Sequence, residues 1–506
     1  MDVMPQHPPQ PSDPDRPPLD ASAFSGATAL SALTGPPSAE PPPLTLRTAL
    51  RRTALGVVAG AVLLTGAVVA VPDGGGTAGT LPVPGPVSRA MAAAAAGAPA
   101  SLSDLTALIG DRQRWVDAHP DDAGSWAVLG TAYAEWGRRS ADSSYYGRAE
   151  RALRRSLEVR PVERGDAAAW VGLAALADAR GDFVAARKWG EAARAREPQR
   201  WTVYPALIEA YEGLGDRRSA DAAVERFAAL RAGAPALVQS ARRDRDRGQA
   251  ERALAGARAA ADRAATPAQK AECLSLLGEL ARDRGEPQEA LARYDAALRA
   301  DRDHDPALAG RAGALVELGR AEEAKRAYRA VLARQPRPAY MLELGELYES
   351  LGRVREADQE YARLRVALDR DEERGVDNAL LRGRFEADHG DPDAAVGLLE
   401  AEWARGHRSA AVADALGWAR YRAGDPSGAL EYAGRAVDAG GRSASYAYHL
   451  GVVQQELGQD GAARRSLEEA LRAGPGFSPL EGPAARKALD ALDGPDAPPA
   501  GGPQDV

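Results

Sequence analysis

The chain has 506 residues, with 64 Lys+Arg against 72 Asp+Glu and a formal net charge of -8, a balance that disfavours a dominant phosphate-binding surface and with it nucleic acid as partner. Its single cysteine, Cys273, excludes an intrachain disulfide, and no cysteine stands close behind an apolar leader where a lipid anchor would be attached.

The N-terminal hundred residues differ from the rest. Met1–Pro43 is rich in proline, alanine and serine without apolar periodicity, which predicts a disordered tail over residues 1–46. Thr53–Val71 then runs 19 residues without a charge. At about 1.5 Å rise per residue such a helix nearly spans a roughly 30 Å hydrocarbon core. Arg47, Arg51 and Arg52 precede it and no basic residue follows before Arg89, so residues 47–72 read as a signal-anchor helix. The positive-inside bias then leaves the N-terminus cytoplasmic and the remainder of the chain extracytoplasmic. A leader cleaved after Val68-Val69-Ala70 is the competing reading and would give a secreted protein. Residues 73–100, with Gly74-Gly75-Gly76 and an alanine run, predict a flexible linker.

Beyond the linker the sequence repeats. Gly181, Gly215, Gly248, Gly285, Gly319, Gly352, Gly390, Gly424 and Gly458 are separated by 34, 33, 37, 34, 33, 38, 34 and 34 residues. An alanine follows each at the fifth position, from Ala186 to Ala463. Within Asp305–Pro336, Leu308, Arg311-Ala312 and Leu315 share one helical face, Gly319 ends that helix, and Ala324, Tyr328 and Val331 mark a second. Seven before each glycine stands a small residue, Ala174, Ala241, Gly278, Ala312, Gly345, Gly383, Gly417 or Gly451, with Ile208 the larger exception. Neither helix of a pair can bury its apolar stripe alone, so the units must stack.

Trp170, Leu173, Ala174, Ala177, Gly181, Ala186, Ala193 and Pro198 resemble the tetratricopeptide (TPR) pattern in register, as do Trp126, Leu129, Gly130 and Tyr133. The unit beginning near Trp126 resumes at Ala149 and Leu153 after about seven extra residues around Arg138–Tyr145. The resemblance implies an all-α fold, a right-handed superhelical solenoid of about ten helix pairs within residues 101–494. Ala484–Leu492 would cap it, and residues 495–506 form a second disordered tail. With the anchor, the chain resembles a bacterial membrane-anchored TPR protein. Arg114-Trp115 through Leu129-Gly130 is similar to the TPR region of cytochrome c maturation factors, and Asp414–Ala419 with His449-Leu450-Gly451 to envelope-associated TPR proteins.

Catalytic and metal constellations are not assembled by the sequence. His7, His119, His304, His389, His407 and His449 are scattered, and none pairs with another at zinc-ligand spacing. Asp301, Asp303 and Asp305 alternate like a calcium loop, but Pro306 and Ala312 stand where a glycine and a bidentate glutamate are needed. No nucleophile elbow, Walker loop or dinucleotide fingerprint occurs, so a non-enzyme without cofactor or metal is expected.

The resemblance also implies where a partner binds: the concave face carries first-helix residues 13, 10, 6 and 3 before each glycine. That rule selects Glu209, Glu212, Arg242 and Arg245 as a charged patch, and Trp418, Tyr421 and Tyr448 either as an aromatic patch facing solvent or, for Trp418 above all, as packing between adjacent units. Trp126 and Trp170 fall at packing positions. With Asn378 as the sole asparagine, the family's asparagine clamp for chaperone tails is not available. The expected function is a membrane-anchored extracytoplasmic scaffold binding a protein or peptide in the cell envelope. The alternatives are an accessory in envelope assembly or cytochrome c maturation, or a recruiting subunit of an envelope enzyme.

Overall fold

Eight of the nine spaced glycines, Gly390 excepted, take a left-handed φ between 68° and 86°, a conformation that costs a side-chain-bearing residue steric strain. Around each the chain closes the same pair of bonds: at Gly181, its N–H reaches the carbonyl of Asp178 and the N–H of Asp182 that of Ala177, both at 2.9 Å. Asp182, Asp216 and Asp425 then cap the following helix with their carboxylates. Gly390 departs from the expected cap, with φ −147° and ψ −127°. There the Glu386 carboxylate, at 3.1 Å, accepts the Asp391 N–H that a backbone carbonyl takes elsewhere. Asp391 caps directly onto Asp393 and Ala394.

The computed structural model describes residues 84–160, 167–439 and 443–493. Twenty-three α-helices and no strand are found among them. Two lead in, α1 (Pro86–Ala96) and α2 (Leu102–Ala118). Ten antiparallel pairs follow: α3 (Ala123–Ser140) with α4 (Ser144–Val159), α5 (Ala168–Ala179) with α6 (Phe183–Arg196), α7 (Tyr204–Gly213) with α8 (Arg217–Leu230), α9 (Ala234–Asp246) with α10 (Ala250–Asp262), and α11 (Pro267–Arg282) with α12 (Pro287–Ala300). The series continues as α13 (Asp305–Glu317) with α14 (Ala321–Arg334), α15 (Pro338–Ser350) with α16 (Val354–Glu373), α17 (Ala379–His389) with α18 (Pro392–Arg405), α19 (Ala410–Arg422) with α20 (Pro426–Ala439), and α21 (Ala444–Glu456) with α22 (Asp460–Ala473). The final helix α23 (Glu481–Asp493) contains the predicted cap, and its Ala485 and Leu492 are buried.

Two expectations meet different outcomes at the N-terminus. Residues 73–100 are not a linker throughout, because 86–96 are helical and Ala90, Ala98 and Ala100 are buried. An alanine run has high intrinsic helix propensity, and here it finds a surface to pack on. The membrane segment 47–72 and both tails lie outside the described residues. No helix among the described residues is long and apolar enough to cross a membrane.

Small residues seven before the glycine work as sockets. Nine residues after the same glycine stands the side chain that fills the socket: Tyr294 over Gly278, Tyr328 over Ala312, Tyr361 over Gly345, Leu399 over Gly383, Leu467 over Gly451. A Cβ at Gly278 would lie 2.7 Å from Tyr294 Cε1, one at Gly383 2.6 Å from Leu399 Cγ, and one at Gly345 would overlap the Tyr361 ring. Each filled socket removes one large apolar side chain from water, about 1.5–3 kcal/mol. Ile208 is tolerated because its partner nine after Gly215 is the smaller Val224.

Stacking curves the chain until loops far apart in sequence meet along a seam. Arg337 Nη2 donates to the carbonyl of Arg138 at 2.6 Å, across 199 residues, and Gln335 donates to that of Arg139. Ser143 Oγ donates to Asp371 at 2.7 Å, and the N–H of Asp377 reaches the carbonyl of Arg180 at 2.7 Å. The extra residues around Arg138–Tyr145 serve this seam: α3 runs on to Ser140 and ends at Ala141, the one non-glycine with positive φ among the described residues.

Candidate partner-binding groove

The first helices of successive pairs line the concave side, in two rows of different chemistry. The row 13 and 10 before the glycine is apolar at the N-terminal end: Ala168 and Val171, then Thr202 and Pro205, then Pro235 and Val238. With Ala127 and Val128 it floors a groove of about 670 Å³, walled by Glu135, Arg138, Arg242 and Glu272. Cys273 borders it but is buried, which pushes its thiol up to about 11.

The second row, six and three before the glycine, is charged. Arg242 pairs with Glu272, and Arg245 reaches Glu279 at 3.0 Å and Asp283 at 2.5 Å. Thus the two predicted arginines are engaged along the wall. Glu209 and Glu212 form no ion pair among the described residues, and neither does Asp178, which stands three before Gly181. Burial in the narrow lumen, followed by the charge of Glu209, pushes Asp178 up to about 8. Burial, then Glu209 and Asp246, do the same to Glu212, also to about 8. Glu209 is raised by burial in spite of Arg242 and Arg138. Asp178 obeys the spacing rule that found the two glutamates but was not selected by sequence reasoning.

The aromatic patch is corrected by the structure. Trp418 and Tyr448 are each only 7% exposed and belong to one core cluster. Trp418 Nε1 donates to Asp388 Oδ1 at 2.9 Å, and its indole stacks on the His449 imidazole with centroids 4.1 Å apart. Tyr421 is half-buried beside it, 5.1 Å between centroids. These rings fill the space between α19 and α21, so neighbouring first helices consume the surface that a partner would need. Beneath them His449 offers Nδ1 to Asp414 at 2.9 Å and Nε2 to Glu481 at 3.2 Å. Although burial opposes the charge, these two carboxylates push His449 up to about 10. The imidazolium thereby ties α23 onto the last pairs.

Other clusters are internally satisfied. Asp377, Glu402 and His407 place ligand atoms within 4.8 Å of one another, but the Arg405 guanidinium pairs with both carboxylates and supplies the positive charge. In the calcium-like stretch, Arg334 pairs with Asp303 at 2.7 Å, while Asp305 is buried and accepts from Gln335.

Models of the tetratricopeptide repeat family match residues 135–200, 281–341 and 415–476. Among solved structures, the chain is similar to a tetratricopeptide repeat protein from Parabacteroides merdae, at 19% identity over 52% of this chain and 99% of that one, with a TM-score of 0.32. It is similar to a TPR protein from Thermus thermophilus at 24% identity, over 37% and 99% of the two chains, with a TM-score of 0.32. The Cut9–Hcn1 hetero-tetramer of APC/C matches over 77% of this chain and 82% of that one, at 14% identity and a TM-score of 0.38. No curated protein matches the sequence. The chain carries tetratricopeptide repeats over the matched segments, built into an all-helical solenoid.

Proposed function

We propose that this protein is a non-catalytic interaction scaffold whose N-terminal groove takes a segment of a protein partner. The observation that carries the reading is the pairing of the two rows. An apolar floor that seats small aliphatic side chains is bordered by Arg138 and Arg242, whose charges also reach three carboxylates, Asp178, Glu209 and Glu212, that form no ion pair among the described residues. A segment with small apolar residues and a lysine or arginine matches both, and its basic group would offset the burial, and after it the charge of Glu209, that raise the Asp178 and Glu212 pKa values. The test is binding of the captured partner to a chain carrying Asp178→Asn, Glu209→Gln and Glu212→Gln together. At least a tenfold loss, of order 1.4 kcal/mol or more, is expected with folding intact. Unchanged binding by the folded triple variant would sink the reading.

The same proposal extends to location: Thr53–Val71 anchors the chain in a membrane and the solenoid works outside the cytoplasm in the cell envelope. The uncharged run and the arginines on one flank support this topology. A reporter active only outside the cytoplasm should work when fused after Val506, and activity of a cytoplasm-only reporter there would overturn it. The role is that of a scaffold in envelope assembly, cytochrome c maturation, or recruitment of an envelope enzyme, with catalysis residing in the partner.

A further inference from the structure

The apolar groove is partly filled by the chain itself. Helix α1 contributes Ala90, Met91 and Ala94 to its wall, and the chain after it crosses the starts of three first helices. Gly97, at φ +65°, ends α1 against Trp201 and Pro235, so closely that a Cβ would lie 3.3 Å from the indole. Gln269 Nε2, on α11 and 173 residues away in sequence, donates to the carbonyl of Ala96 at 3.0 Å. Arg89 is the one charged group of α1 and makes a two-pronged ion pair with Asp104 of α2, at 2.5 and 3.2 Å. Only Ala90 of the eleven residues of α1 is fully buried, while Met91 is 41% exposed. The segment is therefore seated by one ion pair, one long-range hydrogen bond, the buried Ala90, Ala98 and Ala100, and Val87 with Ala93 against the α2 core, an attachment without any of the sockets that hold the repeat helices.

We propose that α1 with the Gly97–Ala100 turn is a detachable strap that forms one wall of the groove, narrows it, and competes with the partner for the surface beneath it. This rests on the groove reading above and adds its regulation. Small residues suit a strap: larger side chains at 97, 98 and 100 would meet Trp201 or the buried floor, and alanine contributes little adhesion. Tethering compensates, since a segment joined to its site acts at an effective concentration of order millimolar. An incoming segment then binds with an affinity reduced by the fraction of chains whose strap is open. The partner segment consequently shares the chemistry of α1, a helix or extended stretch of alanine-like residues.

The strap is tested on the full chain with a fluorescent synthetic peptide of residues 85–100. Arg89→Glu places a carboxylate against Asp104 and should release the strap, leaving the site to the added peptide, which carries its own Arg89. The peptide should bind this variant at least tenfold tighter than the unaltered chain, and amides of 86–96 in the variant should exchange faster. Combining Arg89→Glu with Asp104→Arg should restore the pairing in the chain and return peptide binding to the weak level. Should Arg89→Glu fail to fold, Ala90→Asp puts a carboxylate at the one buried position of α1 and leaves the site unchanged for the added peptide, and the same ordering is expected. Equal peptide binding by released and unaltered chains, or none by either, overturns the strap. Partner binding that survives Val171→Asp would instead remove the groove reading and leave the ordering of peptide affinities standing.

Discussion

The indole of Trp418 lies on the imidazole of His449 with 17° between the ring planes and 4.1 Å between centroids. A tryptophan at a concave-face position is thus the lid of a buried charge network in which Asp414 and Glu481 hold the imidazolium from both sides. Trp418→Ala should accordingly destabilise the last pairs by about 3–5 kcal/mol, the usual cost of deleting a buried aromatic. Thermal unfolding by circular dichroism checks this. An unchanged midpoint would return Trp418 to the class of surface anchors.

His449 also sets a pH dependence. Its folded pKa near 10 stands above the unfolded value of 6.5, so the stabilisation it supplies is complete below about 6.5 and is lost as pH rises through about 10. Amides of α23 should exchange more readily at pH 10.5 than at pH 7 after correction for intrinsic rates. In His449→Gln they should be poorly protected at both. Equal protection of the unaltered chain at the two pH values would contradict the network.

Carboxylates in the lumen act in a lower window. Asp178 and Glu212 hold their protons up to about 8 in the folded chain but only to about 4 when unfolded, so their contribution to stability falls as pH rises from about 4 to 8. Asp178→Asn with Glu212→Gln should raise stability at pH 8.5 by about 1–2 kcal/mol after allowance for solvent screening, and the gain should vanish near pH 4. Urea melts at both pH values measure it. A gain independent of pH would mean that these carboxylates do not strain the lumen.

Turn glycines that look equivalent in the sequence should differ in cost. Gly319 has φ +68° and open space where a Cβ would go, so Gly319→Ala carries only the left-handed penalty, about 1–2 kcal/mol. At Gly215 the added Cβ would also overlap the carbonyl oxygen of Arg408 across the seam. Gly215→Ala should therefore cost more and should expose amides of the α18–α19 loop to exchange. Gly345→Leu, forced into the Tyr361 socket, should cost about 1–3 kcal/mol by overpacking. Equal midpoints for Gly215→Ala and Gly319→Ala would remove the seam contact from the account.

Local periodicity made the solenoid readable. Gly319, Ala324 and Ala312 each report a constraint within about twenty residues, a left-handed cap or a close helix approach, and each appears directly as a residue type. The filling side chain nine after the glycine was less visible, because Tyr294, Leu399 and Val224 share size ranges but no chemistry. Seam contacts such as Gln335 with Arg139 join residues 196 apart and depend on accumulated curvature, which no short pattern encodes. The spacing rule selected Glu209 and Glu212, and the same rule applied three before Gly181 selects Asp178. It could not tell that Trp418 and Tyr448 face one another's helices, since exposure at those positions depends on the size of the neighbouring unit's side chains. The alanine run before Ser101 read as a linker because alanine carries no apolar stripe, yet Ala90 and Ala98 are buried by the groove they enter.

The central claim is that a partner segment lies in the N-terminal groove. Site-specific photo-crosslinking tests it most directly, with the reactive side chain placed at Val171, half-buried on the groove floor, or at Val366, 67% exposed on α16. In cells making the full chain, position 171 should yield one discrete protein adduct, absent from position 366 and lost when Asp178, Glu209 and Glu212 are neutralised. Adducts of the same protein at both positions, unaffected by neutralising the carboxylates, would contradict it.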